Sequence, residues 1–336
     1  MLNFEQFQEY VADHIRERLP EEYENASVNL HTVTKNNGLE LHAIVVKREG
    51  ESICPTVYLD SEFEKYEATN DIDEALDNVA HVVATNRGDA FAEIASNYTN
   101  YEFVKDKVIM ALVNANKNKE FLLDTPHTMK EDLAVIYKVV VNSDNEGVAS
   151  VTVKDSHLES WGVSKEELHE RALENSNRMF PASTKSMVEV MREIMIKDGM
   201  PPEMVEMMCN EEIPSRQMFV ISNSTNVNGA SSIIYSNELE KLSNDLGCDL
   251  YILPSSTHEV IAVPSDIATP DELSEMVVAV NNDEVSIEEQ LSDHVYKYDA
   301  ETKTLSIADT KGIEMMKAQE EAQAEETEVS RPKRRR

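Results

Sequence analysis

Residues 133–153, LAVIYKVVVNSDNEGVASVTV, are two valine-rich runs joined across Asn142–Gly147, and residues 164–175, SKEELHERALEN, follow them. The first stretch reads as a β-hairpin, because β-branched runs flank a cluster of turn-forming residues. The second reads as a helix, because Ser164 and Glu167 form an S-x-x-E capping box at its start. The same order occurs twice more. LELHAIVVKREGESICPTVYL (39–59) precedes DIDEALDNVAHVV (71–83), and LYILPSSTHEVIAVP (250–264) precedes TPDELSEMVVAVN (269–281). Identity among the three units is too low for a sequence repeat, so what recurs is supersecondary structure. This predicts an α+β fold in two lobes, with mainly antiparallel or mixed sheets covered by helices, and argues against a doubly wound parallel sheet.

Outward from these units, residues 3–19 predict an amphipathic helix, with Phe4, Phe7, Val11, Ile15 and Leu19 at steps of three or four and Asn3 as its cap. SVNLHTVTK and LELHAIVVKR flank Asn36, Asn37 and Gly38 as a hairpin, and SICPTVYL follows after a turn at Glu49, Gly50 and Glu51 as a third strand. His42 reads as a strand residue near an edge. Residues 154–208 read as mainly helical, RQMFVISN as a strand, and SNELEKLSNDLG as a helix ending on Gly247. DHVYKYDAETKTLSIAD closes the fold as a hairpin. The expected division is an N-terminal α-β-β-β-α lobe (1–100), a larger α+β lobe (101–309) and an acidic-basic tail (310–336), a frayed helix that passes into disorder.

Composition narrows the function. The chain has 336 residues, 64 acids, 31 bases and a net charge of −33. Five of the bases, Arg331, Lys333, Arg334, Arg335 and Arg336, lie in the last six residues, so the body before them carries 64 acids against 26 bases. Such a body repels phosphate backbones and anionic membranes, while the basic tail could contact either or fold back on the body. Three widely spaced cysteines, Cys54, Cys209 and Cys248, fit a reducing compartment, and MLNFEQFQEYVADHIRERLP reads as neither a secretory signal nor a transit peptide. The longest apolar run, Val108–Val113, is far short of the roughly 18 residues of a membrane-spanning helix. A cytoplasmic location is expected.

With nine glycines, no two of them one residue apart and none before a lysine, the dinucleotide-binding and P-loop motifs are excluded. No H-E-x-x-H, C-x-x-C or G-x-S-x-G occurs either, so no cofactor or metal is expected. The one crowded stretch is YILPSSTHEVIAVPSD (251–266). A hydrolase or transferase reading would make Ser255 or Ser256 the nucleophile, His258 its base and Glu259 the residue that orients the base. If His258 and Glu259 stand in the second strand, however, consecutive side chains point to opposite faces, and the stretch reads as a turn instead. Met187, Met191, Met195, Met200, Met204, Met207 and Met208 follow helical spacing, which suits a core more than an adaptable binding face.

ICPTVYL, LAVIYKVV, LESWGVSKEELHERALEN, DLYILPSSTHEVIAVP and VNNDEVSIEEQLSDHVYKYD together resemble a family of uncharacterised proteins from gram-positive gut anaerobes, catalogued as a domain of unknown function. The resemblance runs from residue 2 to about residue 309. W-G-V-S-x-E-E-L-H and D-L-Y-I-L-P are also similar to a second bacterial family of comparable length. Neither resemblance implies an activity or a site residue. The leading expectation is a non-enzymatic binding or adaptor protein whose acidic surface meets a basic protein or peptide. The alternatives are the hydrolase or transferase above and an acidic mimic of nucleic acid.

Overall fold

The computed structural model describes residues 1–49, 54–85, 94, 96–144, 147–209 and 218–329. The chain divides into two compact units, Met1–Val104 and Lys105–Arg336. Both are built from antiparallel sheets and helices, the α+β class expected. No helix among the described residues is long and apolar enough to cross a membrane.

In the first unit, α1 (Phe4–Arg18) starts at a full capping box between Asn3 and Gln6 and buries Phe7, Val11 and Ile15. It covers a sheet of β1 (Ser27–Thr34), β2 (Glu40–Lys47) and β3 (Thr56–Tyr58), in the order β1-β2-β3. Asn37 and Gly38 take left-handed φ values of 60° and 73°, which lets the β1–β2 turn close. The turn expected at residues 50 and 51 lies outside the described residues. α2 (Asp60–Thr69) and α3 (Ile72–Thr85) complete the core, in which Leu76, Val79 and Val83 meet Ile44, Val46 and Phe7. His42 is not near a sheet edge but on the central strand. Pairing with β3 stops at Ala43, so the His42 N–H donates to Asp60 Oδ2 at 2.7 Å instead.

The second unit has two sheets. One holds β4 (Val108–Asn114), β5 (His127–Lys130), β6 (Leu133–Asp144) and β7 (Gly147–Thr152), with β6 pairing β4 on one side and β5 then β7 on the other. Residues 145 and 146 of the hairpin quoted above lie outside the described residues. Every residue of β4 is buried, and polar side chains satisfy its outer edge: Ser176 Oγ accepts from Met110 N at 2.9 Å, and Asn175 Nδ2 donates to Val108 O at 2.9 Å. This is how a helix can cover a strand edge without orphaning its backbone groups. These residues sit on α5 (Lys165–Met179), which Ser164 caps as expected, preceded by α4 (Asp155–Trp161).

The other sheet has the order β13-β12-β10-β11-β9-β8. Its strands are β8 (Ala182–Ser186), β9 (Phe219–Asn223), β10 (Leu250–Leu253), β11 (Val260–Pro264), β12 (Tyr296–Asp299) and β13 (Thr304–Ile307). β8 corrects the helical reading of 154–208: ASTKS has no apolar alternation and is a strand only because β9 pairs with it. α6 (Met187–Lys197) and α7 (Pro202–Cys209) follow β8, and α8 (Glu238–Leu246) ends on Gly247 at φ 70°. α9 (Pro270–Asp283) begins at a Thr269–Glu272 capping box. α10 (Thr310–Val329) directly follows Asp309, and Thr310 Oγ1 donates to Asp271 Oδ2 at 2.8 Å. Further along the helix, Gln319 Nε2 donates to Asn116 Oδ1 at 2.8 Å. The basic cluster Arg331–Arg336 lies outside the described residues.

Candidate functional site

β10 ends at Leu253 and β11 begins at Val260, so His258 and Glu259 stand in the connection, not in the second strand. The strand-alternation argument against pairing them therefore does not apply, and the hydrogen bonds decide. The connection is pinned to the segment after α9: Thr257 N donates to Glu289 O at 2.8 Å, Leu291 N to Ser255 O at 3.0 Å, and Ser256 bridges to Gln290. Its other neighbour is the loop after β9, where Asn226 and Asn228 adopt left-handed φ values of 54° and 52°.

The imidazole of His258 lies between these segments. Its Nδ1 accepts from Asn228 N at 3.3 Å, and its Nε2 lies 3.4 Å from Glu289 Oε1. An acceptor role at Nδ1 puts the proton of the neutral ring on Nε2, facing the carboxylate. The Ser256 hydroxyl accepts from the His258 backbone N–H at 3.0 Å, and the His258 carbonyl accepts from Ser222 Oγ at 2.7 Å. Burial pushes the Glu259 carboxyl up, His258 and a bond from Ser256 pull it down, and Glu289 adds to the rise. Thus Ser256, His258 and Glu259 come together, joined by Glu289 and Asn228, which sequence reading missed. Ser255 is not among them: its carbonyl accepts from Leu291 N instead. A general base needs an unprotonated nitrogen facing the nucleophile, and with Nδ1 taken by a backbone amide the neutral ring offers none. The arrangement acts as a clamp between two loops.

A second polar cluster was not foreseen at all. Asp132 accepts from Ser292 Oγ at 2.8 Å, from Asn114 Nδ2 at 3.3 Å and from the Tyr296 hydroxyl. All four residues are buried, and Asn114 also donates to Leu291 O at 2.9 Å. Burial, followed by the Asp132 charge, holds the Tyr296 phenol well above its ordinary range. Three donors around one carboxylate, closed to solvent, tie the β4–β6 sheet to β12. A reaction would need access that this cluster lacks.

Beside it, His294 Nδ1 lies 3.1 Å from Asp309 Oδ1, and the Asp309 carboxylate also accepts from Val295 N and Gly312 N at 2.9 Å each. The bond to Asp309 raises His294, although burial opposes it. Burial alone would raise Asp309, but the bonds from His294, Gly312 and Val295 carry it below the usual carboxylate range. Because His294 holds its proton more tightly in the fold than in the open chain, this bond stabilises fully below about pH 6.5 and is lost as pH rises through the higher folded value. The excess unfolding free energy of the wild type over His294→Gln should therefore shrink by about 1–2 kcal/mol between about pH 6 and about pH 9. An excess that grows with pH would refute it.

His157 and His169, the other pair near one another in sequence, have separate partners: His157 Nδ1 accepts from Lys154 N, and His169 Nδ1 meets the Tyr137 hydroxyl at 2.9 Å. Among the described residues no three His, Cys, Asp or Glu side chains stand together as metal ligands would. A crevice between α2 and α3, lined by Tyr66, Asp71 and Glu74, holds about 190 Å³, less than the roughly 300 Å³ of a small-molecule site.

Three of the seven methionines depart furthest from expectation, while Met187, Met191, Met195 and Met200 are partly buried. α7 buries Val205 and Cys209, while Met204, Met207 and Met208 are 53%, 76% and 49% exposed. No residue of α6 is buried, and Ile194 and Ile196 are exposed as well. Spacing of i, i+3 and i+4 puts the three methionines of α7 on one stripe, opposite the face that packs. Glu203 and Glu206 lie along one side of the stripe, and Glu206 lies 3.6 Å from Arg192 of α6.

A family model described as a family of unknown function (DUF5688) matches residues 4–300. The chain belongs to DUF5688. The match begins at α1 and ends just past β12, so β13 and α10 lie beyond it. No curated protein and no solved structure matches.

Proposed function

We propose that this DUF5688 chain is a non-enzymatic binding protein that receives a basic amphipathic helix on the methionine stripe of α7. The observation that carries the reading is the exposure of Met204, Met207 and Met208 at helical spacing beside Glu203 and Glu206. Thioether side chains are flexible and polarisable, and methionine-rich surfaces accept varied apolar anchors. A helix laid on such a surface is read through anchors at i, i+3, i+4 and i+7. The two glutamates along one side of the stripe and a net charge of −33 favour lysine or arginine on its other face. The competing reading, an acyl-type activity at Ser255, Ser256, His258 and Glu259, has less support. There the hydroxyl of Ser256 faces the backbone of His258 and not its ring.

The test is titration with a helical peptide of lysine and leucine, beside a scrambled peptide of equal charge and no apolar face. Saturable binding of the amphipathic peptide is expected, and replacing Met204, Met207 and Met208 together with serine should weaken it at least about tenfold, or about 1.4 kcal/mol. Equal binding of both peptides, or an unaffected triple variant, would sink the proposal.

A further inference from the structure

β1 is an end strand, and among the described residues it pairs only with β2. Its register with β2 is unbroken from Ser27 to Thr34, with no bulge and no proline. Natural sheets protect such edges with charges, prolines, bulges or a covering element. β1, SVNLHTVT, carries no Asp, Glu, Lys or Arg in a chain that is 28% charged. Six of its eight residues are exposed, including Leu30 at 40%, while Val28 packs partly buried against the core. The nearest charged residues along the chain are Glu24, three residues before the strand, and Lys35, which directly follows it and holds its ammonium over the Tyr58 ring of β3 at 4.3 Å.

We infer that β1 is a self-association edge, on which β1 of a second copy pairs antiparallel to make one six-stranded sheet across a twofold axis. A twofold pair of this kind is self-complementary: each residue meets its counterpart on the other copy about a shared centre, near Leu30 and His31. Antiparallel pairing runs Ser27 of each copy toward Thr34 of the other, and because no residue from 27 to 34 is an acid, a lysine or an arginine, no like charges oppose each other along the paired strands. Two bodies of charge −33 repel elsewhere, and an uncharged strand is the place where they can approach. The pairing would cover Leu30 and satisfy the outward backbone groups of the strand.

The salt response separates this surface from the methionine stripe. Binding of a basic helix weakens as salt is added, whereas self-association of two acidic chains strengthens, because screening removes their repulsion. Sedimentation equilibrium of the full chain should show a monomer–dimer equilibrium that tightens several-fold between about 50 mM and about 500 mM salt. Asn29→Glu with His31→Glu, at two exposed positions, should weaken the dimer at least about tenfold while leaving the thermal midpoint of the monomer unchanged. Leu30→Lys should act in the same direction, and hydrogen exchange over residues 27–34 should slow as concentration rises. A chain that stays monomeric at both salt concentrations would overturn the inference. So would a dimer indifferent to both variants.

Discussion

Asp132→Ala is expected to remove about 4 kcal/mol from the stability of the larger unit. The loss follows from what remains. The Tyr296 and Ser292 hydroxyls and the Asn114 amide keep their places in a closed interior, each a donor without the acceptor it had. A buried donor left unpaired costs about 1–3 kcal/mol, and the two hydroxyls carry most of the loss, since Asn114 keeps its bond to Leu291 O. Asp132→Asn should cost less, since one oxygen still accepts, but its amide points hydrogens at neighbours that are themselves donating. Tyr296→Phe should cost least, because it removes a donor and leaves the carboxylate two partners. Trp161, the only tryptophan, lies nearly buried in this unit, so its fluorescence in a urea titration reports the unit directly. A loss under about 1 kcal/mol for Asp132→Ala would mean the cluster is not the joint between the two sheets.

What was legible in the sequence was local. The Asn3 and Ser164 caps, the Gly247 stop and the valine-rich hairpins each carry their signal within a few residues, and each forms where read. β8 was not legible because ASTKS is polar and becomes a strand through β9, which lies beyond two helices. The methionines of α7 were misread because helical spacing shows that a stripe exists, not which side of α7 meets the body. On α7 the side that packs is Val205 and Cys209. The Asp132 cluster left no local trace, since Ser292 and Tyr296 lie 160 and 164 residues away along the chain. The clamp at His258 was half visible: the crowding of Ser256, His258 and Glu259 is real, but Asn228 and Glu289, which settle the role of the ring, come from other segments.

Gly229→Ala should disturb that clamp more than its size suggests. A Cβ at residue 229 would lie 2.1 Å from Ser222 Oγ, 2.4 Å from the His258 carbonyl oxygen and 2.9 Å from Asn223 N. Two of these three atoms are backbone, and the Ser222–His258 hydrogen bond of 2.7 Å runs through the same space. A methyl group cannot be absorbed by a rotamer change, so β9 and the 254–259 connection must separate. Overpacking of this kind costs about 1–3 kcal/mol, and breaking the bond adds about 1 kcal/mol, for an expected loss of about 3 kcal/mol. Adding Ser222→Ala to the variant should recover only a minor share, because the carbonyl of His258 remains in the way. As the connection moves, Asn228 N withdraws from His258 Nδ1, and the ring can change tautomer. The nitrogen chemical shifts of His258 should then move toward a mixture of tautomers, while those of His294, held by Asp309, stay fixed. Full recovery in the double variant would show that the serine side chain alone had been the obstacle, and the loops would then be joined by His258 more loosely than the geometry requires.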